Sequence, residues 1–383
     1  MKKYLNVSVV LLFMVAFTTV FCGCWDYIEM TDVKYLAGMA IDRDKVTDEY
    51  ILTFEVLEAS TSSKSISSNI VEGRGKTIHE SLRSAIGKAG KMLQVSHAKV
   101  VIVSADIASE GITPVLDLID RDVEVRDDMW ILISDMDTAS EILSKEKKGD
   151  EIISYEISSA VANSNKIGTY LKMETFKVLE AVSNKGLSAT APMIKIDKDN
   201  KNLNFHIFGT AIFKTDKMVG KLNEDETMIL NLLKEDELKF VLPMELGKNK
   251  TITIDIIKGN KKIIPKVKEG KIVVDVNIDI DTSLSELAST GINYISKDER
   301  EKLKKQAEKY VENSCKELIE DLQKDYKSDI IGFGDILKKK KPNEWRKIQD
   351  NWQEAFQNID TNFRVNINIK YSGITNKNIE VGD

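Results

Sequence analysis

The sequence predicts a three-domain ectodomain of mixed α/β and α+β class: a mixed-sheet α/β domain at the N-terminus, a small middle unit, and a C-terminal domain with an antiparallel sheet and helices on one face. Three observations predict it. Strand-like and helix-like stretches alternate up to about residue 196, as in an α/β domain. From residue 251 apolar and polar residues alternate with period two, which asks for a sheet with one wet face. Residues 1–23 read as an export signal that places the remainder beyond a membrane. The expected boundaries are 1–23 for the signal, 24–198 for the N-terminal domain, 199–248 for the middle unit and 249–383 for the C-terminal domain.

The signal begins with Lys2 and Lys3, and Leu5 to Val20 is apolar apart from Asn6, Ser8, Thr18 and Thr19. No small-x-small cleavage pattern follows. Gly23 instead stands directly before Cys24, as in the lipobox of bacterial lipoproteins, although Phe21 sits where leucine is usual. In that motif the thiol takes a diacylglyceryl group, and cleavage leaves the acylated cysteine as the new N-terminus. Cys22 follows the bulky Phe21 and lacks the small neighbour that Gly23 gives Cys24. Left uncleaved, Tyr4 to Gly23 is just long enough to span a bilayer. Either way the body is tethered to the outer face of a membrane.

Composition is that of a folded protein, with 42% hydrophobic and 30% charged residues. The net charge of -6 becomes more negative by two when Lys2 and Lys3 leave with the signal. Neutralising phosphates needs clustered lysine and arginine, so nucleic acid is not an expected partner. Anionic lipid heads repel such a body as a whole, so residence at the membrane falls to the palmitate-type acyl chains. Two such chains, at roughly 0.8 kcal/mol per buried methylene, hold firmly where one does not. Of three cysteines, only Cys24 and Cys315 survive processing. An acylated Cys24 then leaves no disulfide possible, and Cys315 lies on the apolar stripe of a helix as a small hydrophobe.

The elements follow in order. Val33 to Ile41 and Tyr50 to Leu57 read as strands around a charged turn, and Ser60 to Ser68 as a Ser/Thr-rich loop. Thr77 and Glu80 form a capping box for a helix with Ile78, Leu82, Ala85, Ile86, Ala89 and Leu93 on one face. Lys99 to Ser104 and Met129 to Ser134 are buried-type strands. Thr113-Pro114 opens a short helix, and Thr138 with Glu141 caps another. Asn204 to Leu222 reads as a hairpin turning at Thr215-Asp216-Lys217, and Asn223 caps a helix from Glu224 to Lys234; together they make the middle unit, packed either on its own or against the next domain. Beyond residue 251, Ile252, Ile254 and Ile256, then Ile272, Val274, Val276, Ile278 and Ile280, mark two strands with Asp275, Asn277, Asp279 and Asp281 facing water. Ser296 and Glu299 cap a long helix, with Leu303, Ala307, Val311, Cys315, Leu318 and Leu322 on its inner face. Pro342 opens a second, carrying Trp345, Ile348, Trp352 and Phe356, and Phe363 to Tyr371 alternate as a last strand.

Candidate chemistry is sparse. Gly75-Lys76-Thr77 has the tail of a phosphate loop, but Ile70 stands where that motif needs glycine. His79-Glu80 starts a zinc-protease motif whose second histidine would fall at Arg83. His79, His97 and His206 are far apart in sequence. The row Asp275, Asp279, Asp281 reads first as a solvated face, Lys338 to Lys341 as a solvated turn, and Trp345 and Trp352 as core. No catalytic residue, metal site or cofactor is expected.

Three stretches together carry a resemblance. They are Gly23-Cys24-Trp25-Asp26 with Gly38 and Ile41-Asp42; Asp120 to Arg126; and Gly332-Phe333-Gly334 followed by Pro342, Trp345, Trp352 and the strand to Gly373. In this order the chain resembles the Ger(x)C family of spore germination lipoproteins, the C subunit of nutrient germinant receptors in spore-forming Firmicutes. The resemblance implies a three-domain ectodomain, lipid-anchored through Cys24 on the outer face of the spore's inner membrane. It also implies assembly with two polytopic membrane subunits in a complex that starts germination when nutrients arrive. It brings no catalytic residues. In such a receptor Arg121, Asp122, Glu124 and Arg126, otherwise a solvated turn, would order an interdomain or intersubunit contact. The alternative from another class is a substrate-binding lipoprotein that captures the germinant itself.

Overall fold

A computed structural model describes residues 32–59, 65–145, 149–197, 204–236, 238–245, 251–268, 271–286 and 297–371, together with Leu11 and Met14. The first unit is built on one nine-stranded sheet. Its leading strands β1 (Val33–Arg43), β2 (Tyr50–Ala59) and β3 (Ile66–Gly75) form an antiparallel meander. The stretch expected as a loop therefore enters β3 at Ile66, and 60–64 lie outside the described residues. β3 is an edge strand, with Ile66 and Ile70 turned to solvent; a strand paired on one side can be this polar without losing its place.

Helix α1 (Ile78–Ala89) starts as expected, with Thr77 accepting from the Glu80 amide at 3.1 Å. The Glu80 carboxylate reaches past the cap to the Lys76 amide, 2.8 Å away. The short strand β4 (Met92–Gln94) then runs beside β1, and β5 (Val100–Ser104) follows, buried throughout. Two helices, α2 (Ala105–Glu110) and α3 (Thr113–Arg121), lead into β6 (Trp130–Ser134). Thr113 is inside α3 rather than its cap, and its hydroxyl donates instead to Asp216 at 2.7 Å. After β6 come α4 (Ser140–Leu143), α5 (Ile153–Ala162), α6 (Ser164–Ile167), α7 (Thr175–Val182) and β7 (Thr190–Asp197). Strands β1, β5, β6 and β7 are mutually parallel.

Both faces of this sheet are covered. Val101, Val103, Ile131, Ile133 and Met193 pack with α1, α3 and α7 on one side. Val100, Ile102, Leu132 and Ile194 pack with α4 and α5 on the other. That double cover is why the central strands read as unbroken apolar runs.

The hairpin and the helix of the middle unit pack in two directions. Its hairpin, β8 (Asn204–Lys214) and β9 (Lys217–Leu222), continues the first sheet, β8 pairing antiparallel with β7 along Thr190 to Asp197. The helix α8 (Glu224–Lys234) goes the other way, and every residue from Thr227 to Leu233 is buried. Its apolar residues join the core of the second unit, where Ile212 and Leu222 of the hairpin also reach. A helix buried all round needs neighbours on all sides, and α8 finds them as a shared wall between the two sheets.

The second unit is a four-stranded sheet of β10 (Val241–Glu245), β11 (Thr251–Lys268), β12 (Lys271–Glu286) and β13 (Asp360–Tyr371). Its apolar side is covered by α9 (Lys297–Lys324), α10 (Phe333–Lys340), α11 (Pro342–Ile348) and α12 (Trp352–Phe356). Cys315 is fully buried on α9, and burial pushes its thiol above the usual range. The helix expected from Pro342 to Phe356 is broken into two by a 3-10 turn at Gln349–Asn351.

The sheet is not wholly antiparallel, as the alternation had suggested, because β13 runs parallel to β12. A parallel neighbour requires a crossover connection, and the helices from α9 to α12 supply it. The outer edge of β13 is blocked by two glutamates of α9: the Val365 and Ile367 amides donate to Glu312 and Glu308 at 3.2 and 3.0 Å. This prevents another strand from adding there.

Candidate functional site

Gly23 and Cys24 lie outside the described residues. Among the described ones, no helix is long and apolar enough to cross a membrane.

The charged cluster expected from sequence sits where α3 ends. Arg121 pairs with Asp117 one turn earlier at 2.6 Å, and its side chain is 78% exposed. The Asp122 carboxylate accepts the Glu124 amide at 3.0 Å and faces His79 of α1 at 3.6 Å. Arg126 is held by both oxygens of Asp128. These partners all belong to the first unit. Arg121, Asp122 and Glu124, though not Arg126, form one wall of a groove of about 660 Å³ between the start of α1 and the end of α3. Ile78, Leu118 and Pro114 line that groove beside Lys76, Arg83 and His79, and Val123 at its rim is 100% exposed.

A second cluster, which sequence reading placed only in part, joins the two units. Asp329 is fully buried just ahead of α10. Its carboxylate accepts the amides of Gly332, Phe333 and Gly334 at 2.8, 3.1 and 2.9 Å, and the Trp352 indole N–H at 3.1 Å. Burial lifts this carboxyl to about 6, against the pull of those four donors. The neighbouring backbone crosses between units: the Ser188 amide donates to the Asp329 carbonyl at 2.8 Å, and the Ser328 hydroxyl to the Phe213 carbonyl at 2.6 Å.

Gly334 and Gly186 meet here backbone to backbone. A Cβ on Gly334 would lie 2.6 Å from both the Gly186 Cα and Trp352. Gly332 holds φ at +87°, which a side chain would strain. The Gly-Phe-Gly and double-tryptophan segments thus form one structure, with Trp345 edge-on to Trp352 at 5.3 Å. On α8, Lys234 donates to Thr190 at 3.1 Å, and burial brings its ammonium down to about 8.

Two more buried carboxylates do similar work within the first unit. Asp42 takes the amides of Ala139 and Ser140 at 2.6 and 2.9 Å, completing a cap for α4 to which Thr138 and Glu141 also contribute. Glu55 takes those of Ile153 and Ser154 at 3.0 and 2.7 Å, at the start of α5. Glu55 gave no signal in the sequence beyond being an acid inside a strand.

The remaining candidates separate. His97 packs against Tyr35, and His206 lies between Asp197 and Glu224. Among the described residues no group of histidine, cysteine and carboxylates could hold a metal ion. Asp275, Asp279 and Asp281 accept the side-chain amides of Asn362, Asn366 and Asn368 across the β12–β13 pair, at 2.9 to 3.1 Å.

Comparison with known proteins covers both units. A family described as the spore germination protein N-terminal domain matches residues 26–196, and one described as spore germination B3/GerAC like, C-terminal, matches residues 208–373. Spore germination protein B3 of Bacillus subtilis (strain 168) is 25% identical over 93% of this chain and 96% of its own. Spore germination protein KC of the same organism is 22% identical over 94% of each. Spore germination protein GerQC of Bacillus cereus is 26% identical over 80% of this chain and 83% of its own. The crystal structure of the GerBC protein superposes with a TM-score of 0.57 at 21% identity, covering 87% of this chain and 97% of that one.

Proposed function

Because the chain belongs to the GerAC-like family of spore germination proteins, we propose that it is the lipid-anchored, non-enzymatic subunit of a nutrient germinant receptor. A role in germination follows from membership. The observation that carries the finer reading is the family match to both units in order, starting at residue 26 just past the Gly23-Cys24 pair.

In this reading the acyl chains on Cys24 hold the body on the outer face of the spore's inner membrane. The anchor raises the effective concentration of the ectodomain beside two polytopic partners, so a weak contact suffices for assembly. The groove between α1 and α3, with Arg121, Asp122 and Glu124 on its wall and Arg126 just beyond it, is the surface offered to them. Its mixed charges fix register, and Val123 supplies apolar contact. The body acts as one piece, because α8 and the Asp329 cap tie the units together. No step of chemistry is assigned to it.

The test is Cys24→Ala in the full chain, expressed in sporulating cells. The expected result is a folded protein that is lost from the membrane fraction, in spores that no longer respond to their nutrient. Normal nutrient responses with the protein released from membranes would overturn the proposal.

A further inference from the structure

The chain is acidic overall, yet two basic stretches distant in sequence meet in the second unit. Between residues 258 and 271 the sequence holds Lys258, Lys261, Lys262, Lys266, Lys268 and Lys271 against one acid, Glu269. The other stretch is Lys338 to Lys341, at the end of α10.

The register of the sheet explains why they meet. β10 covers β11 only along Thr251 to Asp255, so further along β11 no strand among the described residues lies beside its outer edge. The end of α10 lies against that stretch, and the Lys340 ammonium donates to the Ile263 carbonyl at 2.6 Å.

Three of these lysines have acidic partners: Lys261 with Asp236, Lys266 with Asp275 and Lys339 with Asp335. Lys258, Lys262, Lys268, Lys271, Lys338 and Lys341 are exposed, and none has an ion pair among the described residues. Lys268 and Lys271 even stand opposite each other across the hairpin, a like-charge pairing that costs stability. Between Lys266 and Lys268, Val267 is 37% exposed near the turn. Favourable charge at a helix end accounts for Lys340 and Lys341, and the aspartates of β12 for Lys258, opposite Asp281, and for Lys266 and Lys268, beside Asp275, but neither accounts for Lys262 and Lys271.

We propose that the end of the β11–β12 hairpin and the end of α10 form one surface that docks on an anionic lipid bilayer. Flexible lysine arms on a strand end and a helix end suit a diffuse array of phosphates better than a single anion. Juxtamembrane lysines gain most of their attraction within a Debye length of such a surface. The inference rests on the anchored reading only for what brings this face to the membrane; it adds which side of the body lies down.

The test is partition of the full chain onto vesicles of phosphatidylcholine alone and of phosphatidylcholine mixed with phosphatidylglycerol. Acyl chains contribute alike to both, so binding to the neutral vesicles reports the anchor and the excess on anionic vesicles reports the lysine surface. The expected excess is about tenfold or more, falling as salt rises. It disappears in a variant carrying Lys262→Glu, Lys268→Glu, Lys338→Glu and Lys341→Glu, and survives Lys88→Glu with Lys91→Glu on the first unit. Should the fourfold variant fail to fold, Lys262→Glu and Lys338→Glu singly give a smaller loss with the same salt dependence. Equal partition on both vesicles overturns the proposal. So does an excess that the lysine variants leave intact, including one accompanied by lost receptor assembly, which would assign the surface to an acidic protein.

Discussion

Single carboxylates decide more in this protein than their number in an acidic sequence suggests. Asp42, Glu55 and Asp329 are buried, and each closes the amides at the start of a helix. A buried amide left without its acceptor costs about 1–3 kcal/mol, so Asp329→Ala, which strands three amides and an indole, is expected to lower stability by at least about 3 kcal/mol in urea unfolding. The pH dependence has a definite sign. The folded carboxyl, at about 6, keeps its proton to higher pH than an unfolded aspartate at 3.8. Its contribution to stability is therefore fully present below the unfolded value and is lost as pH rises through about 6. Asp329→Asn should flatten the urea midpoint over that window, and an unchanged slope would remove Asp329 as its source.

Arg121 and Arg126 stand at the opposite extreme, exposed and paired locally. Arg121→Glu with Arg126→Glu should leave the melting temperature of the ectodomain unchanged and reduce recovery of the membrane partners with it. Normal recovery would return the cluster to being a solvated turn. None of the buried acids could be told from surface acids in the sequence, because burial of a charge depends on amides brought in from far along the chain. Asp42 reads from sequence as the start of a charged turn and as part of the resemblance, and Asp329 carries no signal, although the glycines and tryptophans around it do.

At the scale of elements, the sequence was most legible where a pattern is local. The buried strands β5 and β6, the Thr77 cap, the alternation in β12 and the apolar stripe of α9 all follow from neighbours within a few residues. What was misread depends on partners. β3 is polar because it is an edge, and β13 has the alternation of any one-sided strand whichever way its neighbour runs. The hairpin after residue 204 could have closed on itself, and only its pairing with β7 assigns it to the first sheet. Helix α8 carried its own signal in Met228 to Leu233, where Asn231 alone breaks a run of apolar side chains. Its shared burial makes a prediction. Leu230→Ala opens a cavity at the wall between the units and should cost about 2–5 kcal/mol. Because both units lean on that wall, the loss should shift one common unfolding transition, followed by tryptophan fluorescence and by circular dichroism. Two separated transitions would show that the units fold independently of α8.

For the whole molecule, two units locked together by backbone contacts at Ser188, Phe213 and Asp329 make a body suited to passing on position rather than chemistry. In the proposed function a groove on the first unit is the surface for protein, and in the further proposal a lysine face on the second is the surface for lipid. Both roles presuppose a fixed attachment point, and the account stands or falls on the atom that provides it. Mass spectrometry of the protein extracted from spore membranes tests it directly. The account predicts a chain that begins at Cys24 with a diacylglyceryl group on its sulfur, and no peptide from residues 1–23. A chain beginning at Met1, or a Cys24 with a free thiol in spores that germinate normally, would contradict it.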